Sequence, residues 1–400
     1  MIAAVVLAAL GYFVDIYDLI LFSIVRVASL KGIGVGDDQL LTQGLLLINM
    51  QMGGMLIGGI VWGILGDKKG RLSVLFGSIA LYSLANIANG FVHSLPTYAA
   101  LRFIAGLGLA GELGAGITLV SELMPKETRG YGTMVVASFG VVGGVVAGLV
   151  GNGLGWRAAY FVGGGLGLAL LTLRVGVFES GLFDKVKNSQ AKRGDILMLF
   201  SSRARLWKYM CCILLGVPVW YVIGILATFA PEFGKALLMP ALPTGSSSVM
   251  FLYAGCATGG LASGALSQYL RSRRKAAFLF VGASALLTAA YLNMTGLALA
   301  PFYAICYFLG LGTGYWAVFV TIASEQFGTN IRATVTTTVP NFVRGSLVAV
   351  SWAFAALKPG RGILGAAGIV GAACFGLAFL SLTGLRETFG KDLDYLETHV

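Results

Sequence analysis

Five ionisable side chains interrupt long apolar stretches of this sequence. Asp15 and Asp18 lie in "GYFVDIYDLILFSI" (residues 11–24), and Arg102, Glu112 and Arg344 lie in later stretches. An ionised group at the centre of a bilayer costs about 3 kcal/mol or more, so each of the five is a candidate functional group. Carboxylates bind and release protons, whereas a guanidinium stays charged and fits a carboxylate or phosphate. The predicted chemistry is proton binding at the acids and anion recognition at Arg344.

Predicted transmembrane helices must position these groups. The 400 residues are 57% hydrophobic and 11% charged, a balance typical of integral membrane proteins. Apolar stretches of about 20 residues recur along the whole chain, which favours helices over barrel strands. We predict an all-α polytopic membrane protein with twelve transmembrane helices. The predicted spans cover residues 2–26, 41–65, 72–92, 97–123, 131–151, 158–177, 208–230, 248–269, 276–296, 301–324, 334–357 and 362–384.

Basic residues predict the orientation of these spans. Most of the 28 Lys and Arg residues fall in segments that are cytoplasmic if both termini are cytoplasmic. We therefore predict a multi-pass protein of the cell (inner) membrane. The net charge of +11 then reflects the orientation of the spans in the membrane. The lipid bilayer is an expected partner, and a nucleic acid is not.

The sequence offers no motif for an enzyme or a cofactor. The five cysteines lie within spans without ligand-like spacing, which predicts buried apolar residues and no metal site. "GLGLAG" (residues 106–111) fits a dinucleotide-binding pattern but has no preceding strand. The sequence contains neither an ATP-binding P-loop motif nor a hydrolase motif. We expect neither catalysis nor a bound cofactor.

An internal repeat divides the chain into two halves. "SELMPKETRG" (residues 121–130) and "SEQFGTNIRA" (residues 324–333) share Ser-Glu and a later Arg at an offset of 203 residues. Repeats of this kind are typical of transporters, in which the binding site lies between the repeats. We predict pseudo-symmetric six-helix halves at 1–177 and 208–384, a cytoplasmic linker at 178–207 and a cytoplasmic tail at 385–400.

The loop after the second span carries a family signature. "GILGDKKGRLSVLFG", from Gly63, resembles the signature loop of the major facilitator superfamily, and the stretches 102–130 and 385–397 resemble its metabolite:proton symporter and sugar-porter branches. The resemblance implies the major facilitator fold, a functional monomer and a cytoplasmic gate of salt bridges. The predicted gate residues are Gly63, Asp67, Gly70, Arg71, Glu122 and Arg129, with Glu325 and Arg332 in the repeat.

Asp18 and Arg102 are predicted to form the proton-coupling site, with Asp15 and Glu112 as further members. Asp18 and Arg102 lie at similar depths, roughly 10 Å from the outer surface at the helical rise, so they are able to pair. The resemblance implies the same assignment, since proton-coupled sugar porters use an Asp of the first span and an Arg of the fourth. Arg174, at the inner end of the sixth span, is expected to snorkel to the headgroups.

Arg344 leads the predicted substrate-binding residues. Its alternative role is a structural ion pair with Glu112 or Asp15. Further candidates sit in the middle of spans and combine apolar bodies with polar tips. They are Trp220, Tyr221, Tyr315, Trp316 and Asn341, and the repeat offset maps Asp18 to Tyr221 and Glu112 to Tyr315.

These features predict a proton-coupled symporter of a small organic anion, either a mono- or dicarboxylate or a sugar acid, working by alternating access. The paired amides typical of hexose carriers are absent from "GVPVWYVIG" in the seventh span, which argues against a sugar. One alternative is a carrier of a neutral sugar or polyol, or an exporter, with Arg344 structural. Another is a non-transporting membrane receptor that kept the fold.

Overall fold

The computed structural model describes residues 2–69, 71–112, 129–179 and 199–390. The first part of the chain forms long apolar helices joined by short connections. Ser94 precedes the fourth helix and Pro96 lies in its first turn, where the missing proline N–H costs nothing. The helices are α1 (Ile2–Gly32), α2 (Leu40–Lys69), α3 (Arg71–Asn89), α4 (Leu95–Leu109), α5 (Arg129–Leu154) and α6 (Trp156–Glu179).

The second part begins at α7 (Arg203–Tyr221), which continues as a π-helical turn over Val222–Ala227. Thr244 and Ser272 cap two of its helices by accepting hydrogen bonds from backbone N–H groups three residues later. The remaining helices are α8 (Ala230–Ala236), α9 (Gly245–Tyr269), α10 (Arg273–Asn293), α11 (Leu299–Thr313), α12 (Trp316–Glu325) and α13 (Thr329–Gly384).

Nine helices within the described ranges are long and apolar enough to cross a membrane. The 56-residue helix α13 accounts for both of the last two predicted spans, and Gly362 bends it at a φ of 67° and a ψ of 175°. Only glycine adopts such a conformation readily, so the bend lies where the polypeptide turns from one span into the next.

The predicted span at 301–324 is not one continuous helix, because α11 ends at Thr313 and α12 begins at Trp316. A side chain at Gly314 would lie 2.6 Å from the backbone N of Gly260. The close approach of α9 to this break therefore requires glycine. Trp316, the first residue of α12, borders the space between the halves.

Two pairs of helices join the first half to the second. Helix α5 packs on α9, where Gly144 lets the ring of Tyr253 approach its backbone. Helix α2 packs on α13, where the hydroxyl of Ser351 donates a hydrogen bond of 2.6 Å to Oδ1 of Asn49. The repeat relates the two pairs to each other, because in each pair the second span of one half packs on the fifth span of the other half.

Two connecting segments identify the opposite ends of the molecule. The loop-1 end holds residues 33–39, between α1 and α2. The tail end holds residues 385–390, which follow α13. Residues 180–198 of the predicted linker and residues 391–400 of the predicted tail lie outside the described residues.

Candidate functional site

A buried ion pair joins the two halves near the middle of the molecule. Nη2 of Arg344, on α13, donates a hydrogen bond of 3.0 Å to Oδ2 of Asp15, on α1, and both side chains are fully buried. Within the described part of the chain, Nε and Nη1 of Arg344 have no hydrogen-bond partner. The guanidinium therefore retains donors for an additional anionic group.

Arg344 lines a small cavity of about 30 Å³ between the halves. A volume of that size holds a few waters, so a larger molecule enters only when the halves move apart. Most of the wall is apolar or aromatic, and single polar groups come from Ser138, Thr313 and Cys256. Its aromatic members are Tyr12 from α1, Trp220 from α7, Tyr253 from α9 and Trp316 from α12. The chemistry of this lining suits a small molecule with a flat apolar body and an anionic end.

The structure places two of the four predicted aromatic residues at the cavity. Trp220 and Trp316 line the cavity, whereas Tyr221 and Tyr315 do not. The hydroxyl of Tyr221 donates a hydrogen bond of 2.7 Å to the Ala367 carbonyl, and that of Tyr315 donates one of 2.8 Å to the Leu215 carbonyl. A buried hydroxyl needs such an acceptor, and here it is satisfied inside the second half.

Asn341 connects the halves instead of lining the cavity. Its Nδ2 donates hydrogen bonds of 2.8 Å to the carbonyl of Ala110, which follows α4, and of 3.0 Å to the carbonyl of Thr337, on its own helix. The side chain is fully buried. Asn341 therefore ties α13 to the first half on the tail side of Arg344.

Glu112 is held by Arg174, which corrects the prediction that Arg174 extends to the headgroups. The two side chains form a bidentate pair, with N–O distances of 2.5 Å and 3.0 Å, and Arg174 is only 5% exposed. A buried carboxylate offers the guanidinium two aligned acceptors, which outweighs snorkelling. The pair joins the residues that follow α4 to α6 within the first half.

Asp18 and Arg102 do not form a direct hydrogen bond in this structure. Arg102 donates to Oε1 of Gln51, whose Nε2 donates a hydrogen bond of 3.2 Å to the Leu19 carbonyl. Among the described residues, neither carboxylate oxygen of Asp18 has a hydrogen-bond partner. Gln51 was not predicted because a neutral amide within an apolar span carries no charge signal.

A second ion pair between the halves was also missed. Arg26, only 1% exposed, lies 2.8 Å from each carboxylate oxygen of Glu232, on α8, and its Nη1 donates a hydrogen bond of 3.1 Å to the Leu40 carbonyl. Its guanidinium carbon lies 4.3 Å from the ring centre of Phe229. These contacts join α1 to α8 at the loop-1 end. Arg26 ends a predicted span, where a basic residue indicates only topology.

The predicted gate is described only in part. Glu325 lies 3.4 Å from Nε of Arg273, and its Oε2 accepts a hydrogen bond of 2.7 Å from the Thr388 hydroxyl. Arg332 donates hydrogen bonds to the carbonyls of Ser324 (3.1 Å) and Phe327 (3.3 Å). Gly70 and Glu122 lie outside the described residues, and only the helical backbone is described for Gly63, Asp67, Arg71 and Arg129.

The tail-end cluster includes a carboxylate that was not predicted. Glu387 accepts hydrogen bonds from the Ser272 hydroxyl and from the backbone N–H groups of Arg273 (2.9 Å) and Arg274 (3.2 Å), at the start of α10. Partial burial raises the pKa of Glu387, but these hydrogen bonds outweigh it and leave that pKa below its ordinary value. Residues 385–390 are thereby fastened to the second half.

No group of three or more His, Cys, Asp or Glu side chains in the described ranges is arranged to hold a metal ion. The titratable groups at the centre are instead placed for ion pairing, and the cavity beside Arg344 is placed for a small molecule. The arrangement supports binding rather than covalent chemistry.

Comparison with known families covers most of the chain. The model of the Major Facilitator Superfamily matches residues 8–351. The chain is 30% identical over 318 residues to the 3-(3-hydroxy-phenyl)propionate transporter of Escherichia coli strain K12, covering 76% of each chain. It is 26% identical over 362 residues to the gentisate transporter of Corynebacterium glutamicum, covering 83% of this chain and 76% of the relative.

The fold matches that of a solved transporter. The structure of the proton:xylose symporter XylE bound to 6-bromo-6-deoxy-D-glucose aligns with a TM-score of 0.74, 98% coverage of this chain and 97% of the other, at 16% identity. This likeness confirms the predicted all-α fold with twelve transmembrane helices in two six-helix halves.

Proposed function

The chain belongs to the Major Facilitator Superfamily, whose members are multi-pass membrane transporters of small molecules rather than enzymes, and on that premise we propose that it is a proton-coupled symporter of a small organic anion. It works by alternating access in the inner membrane, with both termini cytoplasmic. The tail end then faces the cytoplasm and the loop-1 end faces outward, as the distribution of basic residues favours.

The main observation in favour of an anionic substrate is the guanidinium of Arg344, which has donors left for a further partner. Only Nη2 of Arg344 is engaged, by Asp15, while the side chain borders the cavity and is fully buried. A buried donor without a partner costs about 1–3 kcal/mol, and a substrate carboxylate at Nε and Nη1 removes that cost. The binding of an anion here is therefore favoured over that of a neutral molecule.

Among small organic anions, the side chains of the cavity wall favour an aromatic carboxylate as the substrate. Tyr12, Trp220, Tyr253 and Trp316 offer flat apolar surfaces, against which rings prefer to pack. Relatives described as transporters of 3-(3-hydroxy-phenyl)propionate and of gentisate support the same class. Sugar acids, with a hydroxyl on nearly every carbon, find few hydrogen-bonding groups in this wall.

Proton coupling follows from competition for Arg344. A substrate carboxylate that binds the guanidinium draws it away from Asp15, and a buried carboxylate without its cation is costly in its ionised form. Proton uptake by the acids of α1 relieves that cost, so substrate and proton bind together. Asp18, whose oxygens lack protein partners in the described part of the chain, is proposed as the acid that exchanges with the outside.

Alternating access requires the halves to separate at one end at a time. We assign the Arg26–Glu232 pair to the outward side, and the hydrogen bond from Asn341 to Ala110 to the cytoplasmic side of the cavity. Rocking of one half against the other breaks one set of contacts and forms the other. The predicted salt bridges of Asp67, Arg71, Glu122 and Arg129 remain part of the proposed cytoplasmic gate.

A carrier of a neutral solute is the second candidate, because Arg344 already has an anionic partner in Asp15. In that case the pair is structural, and the substrate binds the aromatic walls alone. Removing both charges together distinguishes the two, since Asp15→Asn/Arg344→Gln leaves no buried unpaired charge behind.

The test compares binding of a dihydroxybenzoate and the matching dihydroxybenzamide to the purified protein. We expect the wild type to bind the acid tighter by about ten- to hundredfold, as hydrogen bonds to a charged group predict, and the double variant to lose this preference. Arg361→Gln, at an exposed arginine of the same helix, is the control and should retain it. An unchanged preference in the double variant would leave Arg344 structural.

A further inference from the structure

Helix α3 carries a row of polar side chains that the proposed substrate cavity does not use. Ser83, Asn86 and Asn89 are fully buried and follow one another at intervals of three residues, so they lie along one face of the helix. Ser83 Oγ and both polar atoms of each asparagine have no hydrogen-bond partner in the described residues. None of the three lines the cavity.

So many unsatisfied groups in one place indicate bound water. A buried polar group without a partner costs about 1–3 kcal/mol. The summed cost of five such atoms would be a large fraction of the free energy of unfolding of a typical protein. Native proteins satisfy these groups with buried water where protein partners are absent. We call residues 83, 86 and 89 the α3 polar row.

The α3 polar row leads to Asp18. Asn86 faces the Asp18 carboxylate from α3 without reaching hydrogen-bonding geometry. A side chain at Gly163 of α6 would collide with Oδ1 of Asp18, and one at Gly167 would collide with Oγ of Ser83. Because α6 begins at the loop-1 end, Ser83 borders the same seam as Asp18 but lies about 6 Å further from that end.

The other end of the row reaches the loop-1 end. Asn89 is the last residue of α3, and Phe91 and His93 beyond it are exposed. From Asn86, beside Asp18, to Asn89 the helix rises about 4.5 Å, a distance that one or two waters span. Asn86 and Asn89 therefore lie on the loop-1 side of Asp18, inside the first half.

We propose that the α3 polar row binds a chain of waters that carries protons between the loop-1 end and Asp18, along a path separate from the substrate cavity. The inference rests on the proposed proton coupling. A proton enters from the loop-1 end, passes from water to water and converts the Asp18 carboxylate into a carboxylic acid. The charged and titratable groups around Asp18 are Asp15 and Tyr17 on α1, Tyr82 on α3, Arg102 on α4 and Tyr160 on α6.

The second half supplies a matched control. Ser284 and Thr288 of α10 correspond to Ser83 and Asn86 at offsets of 201 and 202 residues, and their buried hydroxyls also lack partners in the described ranges. The position equivalent to Asp18, however, is Tyr221, whose hydroxyl is bonded to the Ala367 carbonyl. The polar atoms on α10 therefore have no carboxylate at the position equivalent to Asp18.

The experiment compares Asn86→Leu, Asn86→Ser and Thr288→Val in proteoliposomes with a dihydroxybenzoate. Two rates are measured: accumulation driven by a proton gradient, and exchange of labelled for unlabelled substrate without a gradient. We expect Asn86→Leu to slow accumulation at least about tenfold, which corresponds to about 1.4 kcal/mol in the activation barrier, with a much smaller effect on exchange. Asn86→Ser leaves room for water and should restore most of the rate, and Thr288→Val should match the wild type.

Full accumulation by Asn86→Leu would overturn the inference, as would an equal loss in Thr288→Val. If Asn86→Leu does not assemble, Asn89→Leu, at the loop-1 end of α3, is judged by the same ratio of accumulation to exchange. Failure of the proposed function is distinguishable, because the wild type itself would then show no accumulation driven by protons.

Discussion

Arg344 and Asp15 form an ion pair in which each side chain keeps hydrogen-bonding atoms without a partner. The guanidinium uses one nitrogen, the carboxylate uses one oxygen, and both side chains are fully buried. A fully satisfied pair would be a static support, whereas this one is able to exchange partners. The proposed coupling of substrate and proton therefore depends on which anion Arg344 binds.

Asp18→Asn should abolish uptake driven by a proton gradient while leaving substrate exchange partly intact. The amide cannot take up a proton, but it fills nearly the same volume and leaves the Arg344 site unchanged. Radiolabelled substrate in proteoliposomes, with and without a gradient, separates the two activities. Accumulation at the wild-type level in this variant would remove Asp18 from the proton pathway.

Ser138→Ala should weaken binding of hydroxylated aromatic acids more than binding of benzoate. Ser138 lines the cavity at 7% exposure, and its hydroxyl has no hydrogen-bond partner in the part of the chain that the structure describes. A ring hydroxyl that pairs with it contributes about 1 kcal/mol, or roughly fivefold in affinity. Calorimetry on both ligands measures the ratio, and an equal loss for both would contradict this role.

The buried charges could be predicted from sequence, but their partners could not. Asp15, Asp18 and Arg344 are costly in an apolar span, which marks them without any structure. Pairing depends on where helices cross, so Arg102 contacts Gln51 rather than Asp18. Likewise, the repeat offset locates Tyr221 and Tyr315 in depth but does not determine which way their hydroxyls point.

At the scale of elements, short contacts between helices hold the two ends of the molecule. At the loop-1 end the Arg26–Glu232 pair joins α1 to α8, and at the tail end Glu387 caps α10. Hydropathy predicts the long helices well because span length is fixed by the bilayer. It does not predict the short helix α8 or the break at Gly314, because both depend on tertiary packing.

Glu232→Gln should shift the protein toward conformations open at the loop-1 end. The change leaves buried Arg26 without its counter-charge, so the closed arrangement loses stability relative to the open one. The measurement is labelling of a cysteine placed at Gly44, which packs on Arg26 and Phe229, in a background without the native cysteines. Asp37→Asn, in an exposed pair with Lys31, is the control. Equal labelling with and without Glu232→Gln would argue against a gate at this position.

Glu387→Gln should reduce thermal stability at pH 7 and have little effect under acidic conditions. The folded-state pKa of Glu387 is lowered, so its stabilising contribution is present above the ordinary glutamate value of about 4.3 and is lost as the pH falls through the folded-state pKa. Melting curves of both proteins in detergent at pH 7 and at acidic pH give the comparison. A difference in melting temperature that grows toward acidic pH would have the wrong sign.

At the scale of the whole molecule, substrate and proton are assigned to different places. The cavity lies between the halves, whereas Asp18 and the α3 polar row lie inside the first half. The two six-helix halves could be predicted from the repeat and from the family resemblance, and the fold confirms them. The cavity could not be predicted, because its walls come from five or more helices whose packing no local pattern encodes.

The most direct test of coupled transport is the internal pH of proteoliposomes as a dihydroxybenzoate is added outside. The two ring hydroxyls slow its unaided passage through the bilayer, and protein-free vesicles measure what remains. We expect internal acidification beyond that background with the acid, and none with the matching dihydroxybenzamide. Acid entering without any accompanying acidification, shown by radiolabel in the same vesicles, would contradict proton symport.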